Sequence, residues 1–175
     1  MEDNGKIRVG ITHGDINGIG YEVILKSFSD PAMLDLCTPI VYGSPKVATY
    51  HRKAMDIQTS FTIINNADDA QDGKLNILSC TEDELKVELT KATPEAGKAA
   101  LDALERALKD YREGDIDVLV TAPINKHTIQ SDSFHFPGHT EYIEERVGDD
   151  NKALMILMKG DFRVALVTGH VPVRN

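Results

Sequence analysis

Apolar residues along the chain follow two alternating periods. Short apolar runs appear at IRVGI (7–11), PIVYG (39–43), FTII (61–64), LNILS (75–79) and DVLVTAP (117–123), the last closed by its proline. Their length and branched side chains predict buried strands. The intervening segments carry apolar residues at helical spacing. Gly18 and Gly20 lead into YEVILKSF, where Val23, Ile24 and Phe28 can share a face, and SPKVATYHRKAM predicts a helix opened by Ser44 with Pro45 in its first turn. The clearest helix covers 94–112. Thr93 is its cap and Pro94 its first residue; Ala96, Ala100, Leu104, Leu108 and Tyr111 form one face, and Gly114 is the stop. Further on, TEYIEERVG predicts a short helix, and ALMILMK and FRVALVTG predict a hairpin about Gly160-Asp161.

Strands alternating with helices imply a layered α/β fold, a mostly parallel sheet with helices on both faces and one antiparallel hairpin near the end. Ligands of such sheets bind at the carboxyl ends of strands. That rule selects four loops: THGDINGIG (12–20), TAPINK (121–126), the corner PGHTE (137–141) and TGHVPVR (168–174).

Composition narrows the chemistry. A hydrophobic share of 41% in 175 residues suffices for a real core, and a net charge of −9 opposes a general binder of nucleic acid or of a membrane surface, since both are polyanions. The apolar runs are too short to cross a bilayer and the first residues contain no apolar leader, so a cytoplasmic protein is expected. Cys37 and Cys80 lack metal-ligand spacing and are expected as reduced thiols.

Each loop admits a functional and a purely structural reading. The glycines of 12–20 let backbone amides approach an anion, or the loop is a tight turn in which Asp15 caps the next helix. Lys126, placed near a helix start, meets a phosphate or carboxylate, or is a solvated lysine. Gly138 lets the chain turn tightly, and His139 and Thr140 then put an imidazole and a hydroxyl at a helix N-terminus, a place for an oxyanion, unless Thr140 merely caps the helix, His139 is a satisfied half-buried histidine and the acids of the first turns complement the helix dipole. His135, beside Phe136 and Pro137, is read as a loop residue. His170 projects from a strand end as a candidate ligand for a divalent metal, although one histidine does not make a site.

Together, GDINGIGYE, TAPINK, FPGHTEYIEER and VTGHVPVR resemble, in order and separation, the N-terminal half of the 4-hydroxythreonine-4-phosphate dehydrogenase family of pyridoxal 5'-phosphate biosynthesis. The resemblance implies a fold like that of isocitrate and isopropylmalate dehydrogenases and a homodimer with a cleft between domains. The chain would then be a truncated half, with 1–115 in the first domain and 116–175 beginning the second. It implies NAD and a divalent metal (Zn, Mg or Co), and oxidation of 4-phosphooxy-L-threonine to a 3-oxo acid that decarboxylates to 3-amino-2-oxopropyl phosphate. By resemblance His139 and Thr140 bind the phosphorylated substrate and His170 is the first of three metal-binding histidines, while Asp15 and Lys126 are supporting candidates. The other metal ligands and most residues for NAD and phosphate would lie beyond residue 175, so the chain alone is expected to be inactive.

Ile16, Asn17 and Tyr21 replace the two prolines and the alanine of the usual family loop GDPAGIGPE, which predicts a less rigid loop, and Gly169 stands where threonine is common. These departures leave room for a sister dehydrogenase acting on threonate or erythronate 4-phosphate. A phosphotransacetylase-like acyltransferase, needing neither NAD nor metal, and a non-catalytic module are the readings from other classes.

Overall fold

The computed structural model describes residues 5–82, 84–131, 134–168 and 174. They form two compact units, residues 1–137 and 138–175.

The first unit is a five-stranded sheet of β1 (Arg8–Thr12), β2 (Thr38–Gly43), β3 (Thr62–Ile64), β4 (Asn76–Ser79) and β5 (Val118–Thr121), in the order β3-β4-β2-β1-β5. Every pairing is parallel, with Gly10 opposite Ile40 on one side of β1 and Leu119 on the other. The alternation of side chains along a strand sorts the core into two layers. Val41 and Ile77 join α1 (Gly20–Ser27) and α3 (Pro45–Ala54) through Ile24, Leu25 and Val47; Ile40, Tyr42 and Leu78 meet Ala103 and Ala107 of α4 (Pro94–Glu113). The expected arrangement of helices on both faces of a parallel sheet is therefore present.

Local chemistry sets the element ends. Ser44 accepts a hydrogen bond from the Val47 amide at 3.3 Å and Thr93 accepts one from the Ala96 amide at 3.3 Å, while Gly114 ends α4 in the left-handed conformation at φ 83°. Tyr111, expected on the buried face of α4, is exposed at its end, while Ala96, Ala100, Leu104 and Leu108 of that face are buried; Val23 of α1 is exposed as well. The short helix α2 (Ala32–Leu36) has no buried residue and carried no periodic signal in the sequence.

β5 pairs with β1 and so lies in the first compact unit, which runs to Pro137. An apolar strand looks the same in sequence whichever sheet receives it. The second unit contains α5 (His139–Val147) and the antiparallel hairpin of β6 (Ile156–Lys159) and β7 (Phe162–Ala165), with Gly160 at φ 55° in the turn. Both cysteines are free, and burial pushes the Cys80 thiol up to about 12, so it is a poor nucleophile at neutral pH. Among the described residues no helix is long and apolar enough to cross a membrane.

Candidate active site

From β1 the chain moves outward to β2, then returns to add β5 on the other side of β1. The gap between the carboxyl ends of β1 and β5 is thus the point where strand order reverses, the usual place for a crevice in an open parallel sheet. Two of the four sequence-selected loops, 12–20 and 121–126, meet here. The Asp15 amide donates to the Pro123 carbonyl at 2.9 Å, and Gly14, at φ 70°, lies so close to Pro123 that a Cβ would collide with that oxygen. Glycine is needed at position 14 for both conformation and space.

Asp15 does not cap α1, whose cap position is Ile19 with no side-chain bond; its carboxylate accepts from the Asn17 amide at 2.9 Å and closes a tight turn. Lys126 is exposed and lies in a turn over 126–129, not at a helix start as the sequence suggested. Asn125 organises that turn by accepting from the amides of His127 at 3.0 Å and Thr128 at 3.3 Å. The turn is pressed onto α4: a Cβ on Gly97 would overlap the Thr128 carbonyl. The structure therefore brings Asp15 and Lys126 to the same edge of the sheet, on adjoining loops.

The loop expected to be less rigid for want of prolines is instead bonded on three sides. Ile16, Asn17 and Tyr21 are all buried. The Tyr21 hydroxyl accepts from the Ser44 amide at 2.8 Å and donates to the Ser44 carbonyl at 3.0 Å, and His51 on α3 bonds the Ile16 carbonyl at 2.8 Å. Asn17 donates to the Lys91 carbonyl at 3.0 Å and Thr93 Oγ1 at 3.2 Å, and accepts from the Glu88 amide at 2.7 Å. These partners are 23 to 76 residues away, so nothing local announces them.

His13, which the sequence reading passed over, is fully buried at the end of β1. Its Nε2 faces the Ala99 carbonyl at 3.0 Å, which requires the Nε2–H tautomer and leaves Nδ1 as an acceptor without a partner among the described residues. Its ring lies 5.4 Å from that of Tyr21, which in turn stacks on His51 at 5.6 Å. Burial, opposed by the Ala99 hydrogen bond, lowers the His13 pKa from 6.5 to about 4.

In the second unit, α5 begins at His139, with Gly138 in the cap position and no side-chain cap. Gly138 has φ −175°, an extended conformation open to any residue, so no tight turn demands glycine there. Thr140 is the second helical residue, exposed, and its hydroxyl has no hydrogen-bond partner among the described residues; it is not the cap. His139 is half-buried beside it, in a first turn whose backbone amides and dipole favour an anion. Thr140 also borders a cleft of about 550 Å³ along α5, lined mainly by apolar groups such as Ile143, Val147 and Leu154. His170 lies outside the described residues.

Among the described residues, Asp110, Glu113 and Asp115 could hold a cation by spacing alone. They do not fit a catalytic metal. They sit where α4 enters β5, at the amino edge of the sheet, and Asp110 is already engaged, accepting from the Tyr42 hydroxyl at 2.8 Å and from Arg106 Nε at 2.9 Å.

The first unit is a parallel α/β sheet with glycine-rich loops at its reversal point, and the second offers an imidazole and a hydroxyl at a helix start; each is a feature suited to binding an anionic ligand. Residues 35–175 match the family described as pyridoxal phosphate biosynthetic protein PdxA, and the chain belongs to that family. It is 72% identical over all 175 residues to the 4-hydroxythreonine-4-phosphate dehydrogenase of Bacteroides thetaiotaomicron, covering 48% of that protein. It is 32% identical over 166 residues, 93% of this chain and 50% of the relative, to a protein of Oceanobacillus iheyensis provisionally named D-threonate 4-phosphate dehydrogenase. The crystal structure of a 4-hydroxythreonine-4-phosphate dehydrogenase from Burkholderia phymatum matches with a TM-score of 0.83 and 29% identity over 97% of this chain and 52% of that one. The chain thus spans about half the length of the curated relatives it matches.

Proposed function

We propose that this chain supplies the N-terminal half of an NAD- and divalent-metal-dependent dehydrogenase that oxidises 4-phosphooxy-L-threonine to the 3-oxo acid, which then loses carbon dioxide to give 3-amino-2-oxopropyl phosphate. The observation that carries this reading is the 72% identity, over the full 175 residues, to a relative of that name. His139 and Thr140, adjacent at the start of α5, bind the substrate: the hydroxyl and imidazole contact its polar groups while the helix N-terminus favours its negative charge. His170 offers one neutral imidazole to the metal, and Asp15 and Lys126 support the ligand from the edge of the first sheet. A bound divalent cation lowers the pKa of a coordinated hydroxyl and stabilises the charge that develops as hydride leaves for the nicotinamide.

A second reading is favoured by the name of the Oceanobacillus relative: oxidation of threonate 4-phosphate, which carries a hydroxyl where the first substrate carries an amine. Both readings place the working enzyme in a homodimer and leave the 175-residue chain alone without turnover, because hydride donor, substrate and metal must be positioned together, a contribution of about 7 to 11 kcal/mol. The test joins this chain to the second half of the Bacteroides relative and follows NADH absorbance with each phosphate in the presence of Mg, Zn or Co. NADH formed from 4-phosphooxy-L-threonine supports the first reading, and NADH from threonate 4-phosphate alone supports the second. Metal-independent acyl transfer to phosphate, or a folded dimer without turnover on either substrate, would overturn both.

A further inference from the structure

The turn that carries Lys126 is held by two side chains whose polar atoms are spent on backbone. Asn125 Oδ1 accepts from the amides of His127 and Thr128, and Gln130 Nε2 donates to the Lys126 carbonyl at 3.2 Å and to the Phe136 carbonyl at 3.0 Å. The peptide unit that follows Lys126 is thus gripped at both ends, its N–H by Asn125 and its carbonyl by Gln130. Next in the chain, Ile129 is buried and its amide donates to the Asn125 carbonyl at 3.2 Å, while Phe134, just before the second acceptor of Gln130, is buried as well. An exposed polar turn ordinarily fluctuates; this one is fixed at every peptide unit around one residue. Lys126 itself is exposed, five residues past the end of β5, and makes no ion pair among the described residues.

We propose that Asn125 and Gln130 are positioning residues for Lys126, and that the Lys126 ammonium meets a phosphate group of a ligand in the crevice at the carboxyl ends of β1 and β5. An ammonium is a compact point charge suited to phosphate oxygens, but its long side chain loses freedom when it binds. Fixing the neighbouring peptide unit before the ligand arrives lowers that cost. The sheet edge and α4 place the same backbone from below, since a Cβ on Gly14 would meet the Pro123 carbonyl and one on Gly97 the Thr128 carbonyl. A turn that served only to seat Ile129 would be closed by the Asn125 bonds. Gln130 acts elsewhere, on the Lys126 carbonyl, and a merely solvated lysine needs no such support. The proposal rests on the function proposed above for its two sources of phosphate, the phosphorylated acid and the pyrophosphate of the dinucleotide.

Binding, read by titration calorimetry, tests it apart from turnover. The chain joined to the second half of the Bacteroides relative is titrated separately with 4-phosphooxy-L-threonine, threonate 4-phosphate and NAD. Lys126→Ala should weaken either the phosphorylated acid or NAD about tenfold and leave the other unchanged, which names the source of the phosphate. Asn125→Ala and Gln130→Met should weaken that same ligand several-fold. Asn125→Ser, whose hydroxyl can still accept from the amides two and three residues on, should regain most of the loss. With Lys126→Ala already in place, Asn125→Ala should cost nothing further, because nothing remains to be positioned. If Asn125→Ala does not fold, Gln130→Met in both backgrounds makes the same comparison. Unchanged binding in Lys126→Ala, a further loss from Asn125→Ala when Lys126 is absent, or equal losses for every ligand would overturn the proposal. So would a joined protein that binds none of the three. Binding without NADH formation would leave this proposal standing while the functional reading fails.

Discussion

Acidification should act on the fold chiefly through His13. Its ring is fully buried, its Nε2–H is spent on the Ala99 carbonyl, and a proton arriving on Nδ1 would find no acceptor among the described residues. The groups that act on it reinforce this: His51 on α3 disfavours the charged form, and Asp102 on α4 offsets only part of the burial cost. The native pKa of about 4 lies below the ordinary 6.5, so the unfolded chain takes up the proton first. The stabilising contribution is therefore complete above pH 6.5 and is lost as the pH falls toward 4. That gap, at 1.36 kcal/mol for each pH unit, corresponds to a loss of about 3 kcal/mol, a large fraction of a typical 5 to 15 kcal/mol. Urea unfolding at pH 7, 6, 5 and 4 should show this decline. His13→Gln, whose amide can still donate to Ala99, should flatten the decline relative to wild type even though it lowers stability at pH 7. Carboxylates titrate in both proteins, so the difference between the two curves isolates the imidazole. The same pH slope in both, or a native His13 titration above pH 6 by NMR, would refute the reasoning.

Asn17→Ala should cost about 1 to 3 kcal/mol and raise proteolysis within 85–93, because it leaves the Glu88 amide and the Lys91 carbonyl without their partner; limited proteolysis and urea unfolding check both effects. Gly97→Ala should displace the 126–129 turn from α4 and accelerate amide exchange there, whereas the same change at Gly73, where nothing is within 4 Å of a new Cβ, should leave that turn untouched. In the protein joined to a relative's second half, His139→Ala or Thr140→Val should weaken binding of the phosphorylated substrate about tenfold to a hundredfold, as expected for loss of a contact worth about 1 to 3 kcal/mol, with little change for NAD; titration calorimetry measures both.

The elements that the sequence announced are those whose causes are local. Thr93, Pro94 and Gly114 bracket α4 within a residue of its ends, and the runs at 7–11 and 39–43 become β1 and β2 because branched apolar residues in short runs have few other homes. The loops at 12–20 and 121–126 were legible because glycine, proline and polar groups after a strand are themselves a signal. Contacts made across the fold were not legible. His13 depends on Ala99, and Tyr21 on Ser44, partners set only by packing. For the same reason the loop over Ile16, Asn17 and Tyr21 read as loosened by its missing prolines, while side-chain bonds tie it down. Lys126 was misjudged in the opposite way: a polar stretch after a strand resembles a helix start until Asn125 is seen closing a turn.

The position of β1 between β2 and β5 also has a consequence for how the chain is made. The strand that bears the candidate site's first loop is synthesised at residues 8–12, yet one of its flanks is closed only by residues 118–121, and the Arg8 amide meets the Asp117 carboxylate at 2.7 Å across 109 positions. Parallel pairing over such a distance is slow, because the entropy of closing a long loop is lost before the contacts form. At about 5 to 20 residues per second, the ribosome takes several seconds to bring β5 within reach of β1. During that interval one edge of β1 is bare, so the nascent chain is most open to mispairing before residues 118–121 have emerged.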